Sequence, residues 1–243
     1  LCDEKTLALL EKIKSKGIPL GEYVNGKIYY GIKTGLNEAF VIDDETRNRL
    51  ISEDVKSAEI IKPFLAGRDI KRYGTLSTDK YIILIRKGWT NEQSNGIKNK
   101  WAWFNENYPA LAKYLKPFEE AAKKRCDKGD YWWELRACDY YTEFEKTKII
   151  VPAIVQKGSY CIEENGLYSN DKTSIISSED KTLLAILNSK ISDYFLHSIA
   201  STKQGGYFEY KPMYFSKIPI PKQISLDVKN EIENNTSLII SAH

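Results

Sequence analysis

Thr173-Ser-Ile-Ile-Ser-Ser-Glu-Asp-Lys-Thr-Leu-Leu-Ala-Ile-Leu-Asn-Ser-Lys-Ile-Ser-Asp-Tyr-Phe195 passes from one structural period to another within a few residues. Thr173–Ile176 reads as a strand. Ser177 and Ser178 then offer helix caps, and Glu179 and Asp180 place negative charge in a first turn. Leu183, Leu184, Ile186, Leu187, Ile191, Tyr194 and Phe195 recur as the buried stripe of one helix. Gly205 and Gly206 close this stretch, residues 218–221 form an extended connector, and a last helix is expected from near Ser225.

Upstream, Ile149–Val155 and Tyr160–Ile162 read as strands joined in a hairpin across Lys157, Gly158 and Ser159. Pro109 opens a helix expected to run through Ala122 with a bend at Pro117. Tyr81–Ile85 reads as a buried strand, and Lys27–Ile32 and Glu38–Ile42 as two more. Asp43 is expected to cap a helix to about Leu50, and Ser52 another ending before Pro63. Asp3–Lys16 carries Leu7, Leu10 and Ile13 at helical spacing before Gly17. Strands and helices alternate without a βαβ rhythm or a repeat, so the class is α+β, with mixed twisted sheet or sheets and flanking helices.

The chain has 243 residues, 42% hydrophobic and 28% charged, which excludes disordered, collagen-like and coiled-coil chains. No apolar run reaches the roughly 18–20 residues of a membrane span. Asp3, Glu4 and Lys5 interrupt any leader-like stretch, and Met213 is the only methionine, so a piece of a longer protein is expected. Cys2, Cys126, Cys138 and Cys161 show no metal-ligand spacing, and reduced thiols in a cytoplasmic protein follow. The net charge is only +3, but from Lys62 to Lys100 nine basic residues face three acidic ones.

Catalysis requires a constellation, and the sequence holds no G-x-S-x-G, P-loop, G-x-G-x-x-G or H-E-x-x-H. Its two histidines, His197 and His243, have no nucleophile nearby. Asp54 with Lys56, or Asp69 with Lys71, would be the raw material of a metal-dependent nuclease, but such pairings are common accidents. Asn107-Tyr108-Pro109 lacks the second proline of the Asn-Pro-Pro-Tyr motif of amino-methyltransferases. No catalytic residue and no metal ligand is assigned.

Several blocks in register are more specific than any one of them. They are Gly31-Ile-Lys-Thr-Gly-Leu-Asn-Glu-Ala-Phe40, Ile61-Lys-Pro-Phe-Leu-Ala-Gly-Arg-Asp-Ile-Lys-Arg-Tyr73 and Gly129-Asp-Tyr-Trp-Trp-Glu-Leu-Arg136. Lys148-Ile-Ile-Val-Pro152, Leu184-Ala-Ile-Leu-Asn-Ser-Lys190, Gly206-Tyr-Phe-Glu-Tyr-Lys-Pro212 and Ile218-Pro-Ile-Pro221 follow in order. Together they resemble the TaqI-like C-terminal specificity domain of type II-G restriction-modification enzymes and adenine-specific DNA methyltransferases. The resemblance implies a DNA target recognition domain over residues 21–221, a linker helix from an upstream domain over 1–20, and a C-terminal helix over 222–243. It implies double-stranded DNA and an upstream methyltransferase domain of the same chain as partners, and a role in bacterial defence without a membrane. No cofactor is expected in this fragment; S-adenosylmethionine, with Mg²⁺ if the parent cuts DNA, is expected for the parent.

Phosphate contacts want flexible cations and loop amides, whereas base readout wants Arg, Asn or Gln aimed into a groove. Lys33, Thr34 and Asn37 sit in a glycine-flanked loop that suits either a phosphate or a plain strand-to-strand turn. Arg68, Lys71 and Arg72 suit the DNA backbone, or a solvated face with Asp69. Arg136 is the contact candidate beside Tyr131, Trp132 and Trp133, which either wedge beside distorted DNA or anchor the core. Lys157, Lys203, Gln204 and Tyr207 complete the candidates. Two rivals stay open: a metal-dependent nuclease fragment, and an aromatic-rich protein-interaction module.

Overall fold

The computed structural model describes residues 4–242, so Cys2 and His243 lie outside the described residues. The chain divides into two compact units of interleaved segments: Leu1–Gly31, Ala66–Leu76 and Glu143–His243 form the first, Ile32–Leu65 and Ser77–Thr142 the second.

In the first unit, strands Ile28–Tyr30, Thr173–Ile176, Lys148–Pro152 and Cys161–Glu163 form one antiparallel sheet in that order. All five residues of Lys148–Pro152 are buried, as the near-continuous apolar run requires, with one exception of chemistry. Lys148 stands directly opposite Glu163 in the register and the two form a fully buried ion pair. Such a pair resists a one-residue slip, which would leave each charge buried without a partner.

The hairpin expected across Lys157–Ser159 pairs antiparallel as read, but over a longer connection. The antiparallel partner of Cys161–Glu163 is Lys148–Pro152, whereas Ile154–Val155 leaves that sheet and pairs with Tyr207–Glu209. Tyr207–Glu209 pairs in turn with Thr202–Lys203, giving a second, three-stranded sheet.

The single helix expected after Ser177 is two helices, Lys181–Leu187 and Lys190–Ile199. Asp180, rather than Ser177 or Ser178, is the first N-cap, accepting from Leu183 N at 3.0 Å. Ser189 caps the second, accepting from Ser192 N at 3.2 Å. Asn and Ser side chains compete with the backbone for hydrogen bonds, so Asn188-Ser189 ends one helix and starts the next. The restart moves Ile191 and Tyr194 out of the stripe into solvent, while Leu183, Leu184, Leu187 and Phe195 stay in the core.

Helix Glu4–Lys16 buries Leu10 but leaves Leu7 exposed. The helix stops before Gly17, which opens strand Gly17–Pro19, antiparallel to Pro219–Pro221, where a Cβ would come 2.6 Å from Pro219 Cβ. The last helix, Leu226–Ser241, starts after Ser225 as expected and packs on Lys181–Leu187.

In the second unit, strands Val41–Asp43, Lys80–Ile83 and Ile61–Leu65 form an antiparallel sheet in that order. Of Glu38–Ile42, expected as strand, the first three residues belong to the short helix Asn37–Phe40 and the rest to strand Val41–Asp43. Asp43 caps helix Asp44–Glu53 by accepting from Thr46 N at 2.9 Å. Ser52 lies inside that helix and bonds Arg49 O, so it caps nothing, and only Ser57–Ile60 follows as helix. The helix begun by Pro109 ends at Leu115, and a 3₁₀ turn over Lys116–Phe118 absorbs Pro117 before Glu119–Lys123. Among the described residues no helix is long and apolar enough to cross a membrane.

Candidate nucleic-acid interface

The departure of Ile154–Val155 from the four-stranded sheet throws the chain of the first unit into loop 156–159, in which Gln156 and Lys157 are exposed and Gly158 is buried. Its neighbour is the tip of the hairpin Thr202–Glu209, where Gly205 and Gly206 adopt φ of 78° and 74°. These left-handed values favour glycine and make the tight reversal possible. Gln156 Nε2 donates to Gly205 O at 2.9 Å, joining loop to tip. Lys157, Gln204 and Tyr207, all exposed, thus belong to two linked loops.

The loop is anchored at its far end as well. Asn188 Oδ1 accepts from Tyr160 N at 3.0 Å, and Asn188 Nδ2 donates to Tyr160 O at 2.9 Å. Tyr73 N donates to the same carbonyl at 3.0 Å. Arg72 Nη2 bonds Asn188 O, and its guanidinium lies 5.5 Å from the Tyr73 ring centroid. Through Asn188 the structure brings Arg72 to the base of the Lys157 loop, a link no sequence spacing announces. Arg68 and Lys71 precede Arg72 on the same segment; both are exposed, and among the described residues Arg68 makes only a loose contact with Asp69 at 3.8 Å.

Lys203 is less available than its exposure suggests. Glu209 accepts from it at 3.0 Å and from Lys211 at 2.9 Å. Lys211 first and Lys203 second hold the Glu209 carboxyl below its ordinary pKa. Lys157 forms no ion pair among the described residues.

The second unit holds the other four candidates around a residue that sequence reasoning missed. Arg125 is buried, and its five N–H donors are all matched to carbonyls. Nε bonds Ala122 O; Nη1 bonds Thr34 O at 2.6 Å and Asp127 O; Nη2 bonds Trp132 O at 2.6 Å and Glu134 O at 2.9 Å. Its guanidinium lies over Phe40 at 4.3 Å. Burial lowers its pKa to about 10, leaving it charged at neutral pH. Thr34 is buried, and its hydroxyl donates to Asn37 Oδ1 at 2.6 Å and accepts from Leu36 N. Thr34 is thus buried and bonded within its own loop. Lys33 and Arg136 both reach Asp127, at 2.8 and 3.4 Å. Lys33 is the larger cause, Arg136 the smaller, of the lowered pKa of Asp127.

Trp133 is buried, stacks on Tyr131 at 4.8 Å, and donates from Nε1 to Thr90 Oγ1 at 3.1 Å. Trp132 packs on Trp101 at 4.8 Å. Buried Glu134 accepts from the backbone N–H of Thr90, Asp130, Tyr131 and Gly88. Trp133 and Glu134 of this stretch are buried, whereas Tyr131 and Trp132 are partly exposed. The basic run from Lys62 to Lys100 is divided: Arg68, Lys71 and Arg72 belong to the first unit and the rest to the second, where Arg86 pairs with Glu92 and Lys87 with Asp130. Among the described residues no group of three or more His, Cys, Asp or Glu could hold a metal ion.

The family model of the TaqI-like C-terminal specificity domain matches residues 62–220, well over half of the sequence. The chain belongs to this family. As a TaqI-like specificity domain it is 24% identical over 227 residues to the type II methyltransferase M.PaeR7I of Pseudomonas aeruginosa, covering 89% of this chain and 36% of that protein. M.XhoI of Xanthomonas vasicola, also a type II methyltransferase, is 23% identical over 226 residues, covering 88% and 37%. This TaqI-like domain thus spans little more than a third of the curated relatives it matches. Among solved structures, the type IIL restriction-modification enzyme MmeI, described in complex with DNA, aligns at a TM-score of 0.64 and 14% identity, over 93% of this chain and 28% of that one. The type IIG restriction endonuclease BpuSI aligns at 0.53 and 12%, over 96% and 28%. These likenesses are of fold, and they agree with the α+β class read from the sequence.

Proposed function

We propose that this specificity domain reads a DNA sequence for a larger restriction-modification protein, placing a methyltransferase portion elsewhere in that protein on duplex DNA. The observation that carries the reading is the linked pair of loops in the first unit. Two exposed tips, carrying Lys157 and Gln204–Tyr207, are tied together by Gln156 and to Arg72 through Asn188. A cation and a carboxamide on pre-ordered loops are the means of binding phosphates and discriminating base edges. Lys157, Arg68, Lys71 and Arg72 would meet phosphates; Gln204 and Tyr207 would meet bases or sugars. Lys203, and in the second unit Lys33 and Arg136, would exchange a carboxylate for a phosphate, with Asn37 beside Lys33. The DNA complex described for MmeI and the methyltransferase names of the curated relatives support this reading. S-adenosylmethionine would then serve the methyltransferase portion, Mg²⁺ any nuclease, and the cytoplasm would be the place of action.

The test is duplex binding by the full-length protein across a salt series. Cations on phosphates release condensed counterions, so log affinity should fall against log salt with a slope of about 0.9 per phosphate met. Salt-insensitive binding, or none, would defeat the reading.

A further inference from the structure

We propose that Asp193 is a positioning residue for sequence discrimination, fixing the Lys157 loop and the Gln204 hairpin in one relative placement. This rests on the DNA-reading role proposed above.

Asp193 and His197 stand four residues apart on helix Lys190–Ile199, hence on one face. Asp193 Oδ1 accepts from Gly158 N at 2.7 Å, gripping the residue next to Lys157. The same oxygen accepts from Tyr210 Oη at 2.8 Å, and Tyr210 immediately follows the hairpin strand Tyr207–Glu209. His197 Nε2 lies 3.0 Å from Tyr210 Oη, and its ring stacks on Phe208 with centroids 3.7 Å apart and planes 6° apart. The helix face therefore holds one loop by its backbone and the other by two aromatic positions, 208 and 210. Gly158 is required for this approach, because a Cβ there would lie 2.9 Å from Asp193 Oδ1 and 2.9 Å from the Tyr160 ring. Neither Asp193 nor His197 lies at the tips, so their contribution is placement. Sites that must hold side chains within a fraction of an ångström depend on such support.

Loss of the grip lets the two tips move independently. Phosphate contact survives that motion, since it tolerates flexible cations, but base discrimination does not. The expected signature is a reduced preference for the cognate duplex with the salt slope unchanged. The experiment uses full-length protein with a cognate duplex selected from a random pool by the unaltered protein, and a scrambled duplex as reference. Asp193→Ala should lower the cognate-to-scrambled ratio by about tenfold, the order of one or two lost charge-assisted hydrogen bonds. Tyr210→Phe should lower it in the same direction, and Asp193→Asn, whose amide oxygen can accept both bonds, should restore it. Should Asp193→Ala fail to fold, Tyr210→Phe decides by the same ratio. A ratio unchanged in the folded variants, or one lowered equally in Asp193→Asn, would overturn the inference while leaving DNA reading intact. Absence of binding by the unaltered protein at every salt would defeat the DNA-reading role itself and the inference with it.

Discussion

Asn188 binds the peptide of Tyr160 from both ends of its carboxamide, accepting from its N–H at 3.0 Å and donating to its C=O at 2.9 Å. The side chain does for Tyr160 what a neighbouring strand would do, at a point where none is available. It can do so only because the helix stops there, leaving the amide buried and pointing across the unit.

Asn188→Ala is expected to destabilise the protein by about 2–4 kcal/mol, since it leaves a buried N–H unmatched and weakens the carbonyl's pairing. Thermal unfolding should shift down by several degrees, on the order of 2–4 °C per kcal/mol for a chain this size. Asn188→Asp keeps the acceptor but sets a carboxylate against Tyr160 O, so it should not restore the midpoint.

That residue marks where sequence reading stopped. Thr173–Ile176, the Asp43 cap and the start after Ser225 were legible because local chemistry fixes them: apolar runs and side chains matched to their own backbone. The break at Asn188 was hidden because Leu183 to Phe195 keeps an apolar period through it, and only a partner 28 residues away shows what Asn188 does. Nothing local singles out Arg125, because its carbonyl partners are Thr34, Ala122, Asp127, Trp132 and Glu134, brought together only by the fold. Of the candidate contacts, exposure of Lys157 and Gln204 was legible from glycine-rich loops, whereas the burial of Thr34 and the Glu209 clamp on Lys203 were not.

Arg125→Lys should destabilise the second unit by about 2–5 kcal/mol. A lysine has three donors on one nitrogen and cannot span five carbonyls, so at least two buried acceptors lose their partners. Denaturant unfolding of the full-length protein, followed by tryptophan fluorescence, checks this directly because all five tryptophans lie in that unit.

Removing one member of the Lys148–Glu163 pair should cost more than removing both. Glu163→Gln or Lys148→Met leaves a buried polar or charged group uncompensated, at about 3–5 kcal/mol, whereas Lys148→Met with Glu163→Leu leaves no buried charge and should lose less, the remaining loss being set by the unmatched N–H groups of Asn165 and Leu167. Chemical denaturation midpoints of the three variants decide it; equal losses in all three would contradict the account.

Asp127 should titrate below the ordinary carboxylate range, chiefly through Lys33 and secondarily through Arg136. A carboxyl whose folded pKa is depressed stabilises the fold fully above its unfolded pKa and loses that contribution as pH falls through the folded value. Carboxyl NMR titration should show Asp127 rising in Lys33→Ala, and rising less in Arg136→Ala.

Lys157→Ala should weaken binding to all duplexes alike and reduce the salt slope by about 0.9, while Gln204→Ala should leave the slope and lower the preference for the cognate sequence. Parallel salt titrations of the two variants separate the roles.

The most direct test exchanges residues 62–220 for the matching segment of a relative such as M.PaeR7I, and reads which DNA sequence the active hybrid protects. The recognised sequence should follow the exchanged segment. An active hybrid that goes on protecting the recipient's original sequence would contradict the assignment of sequence reading to this chain.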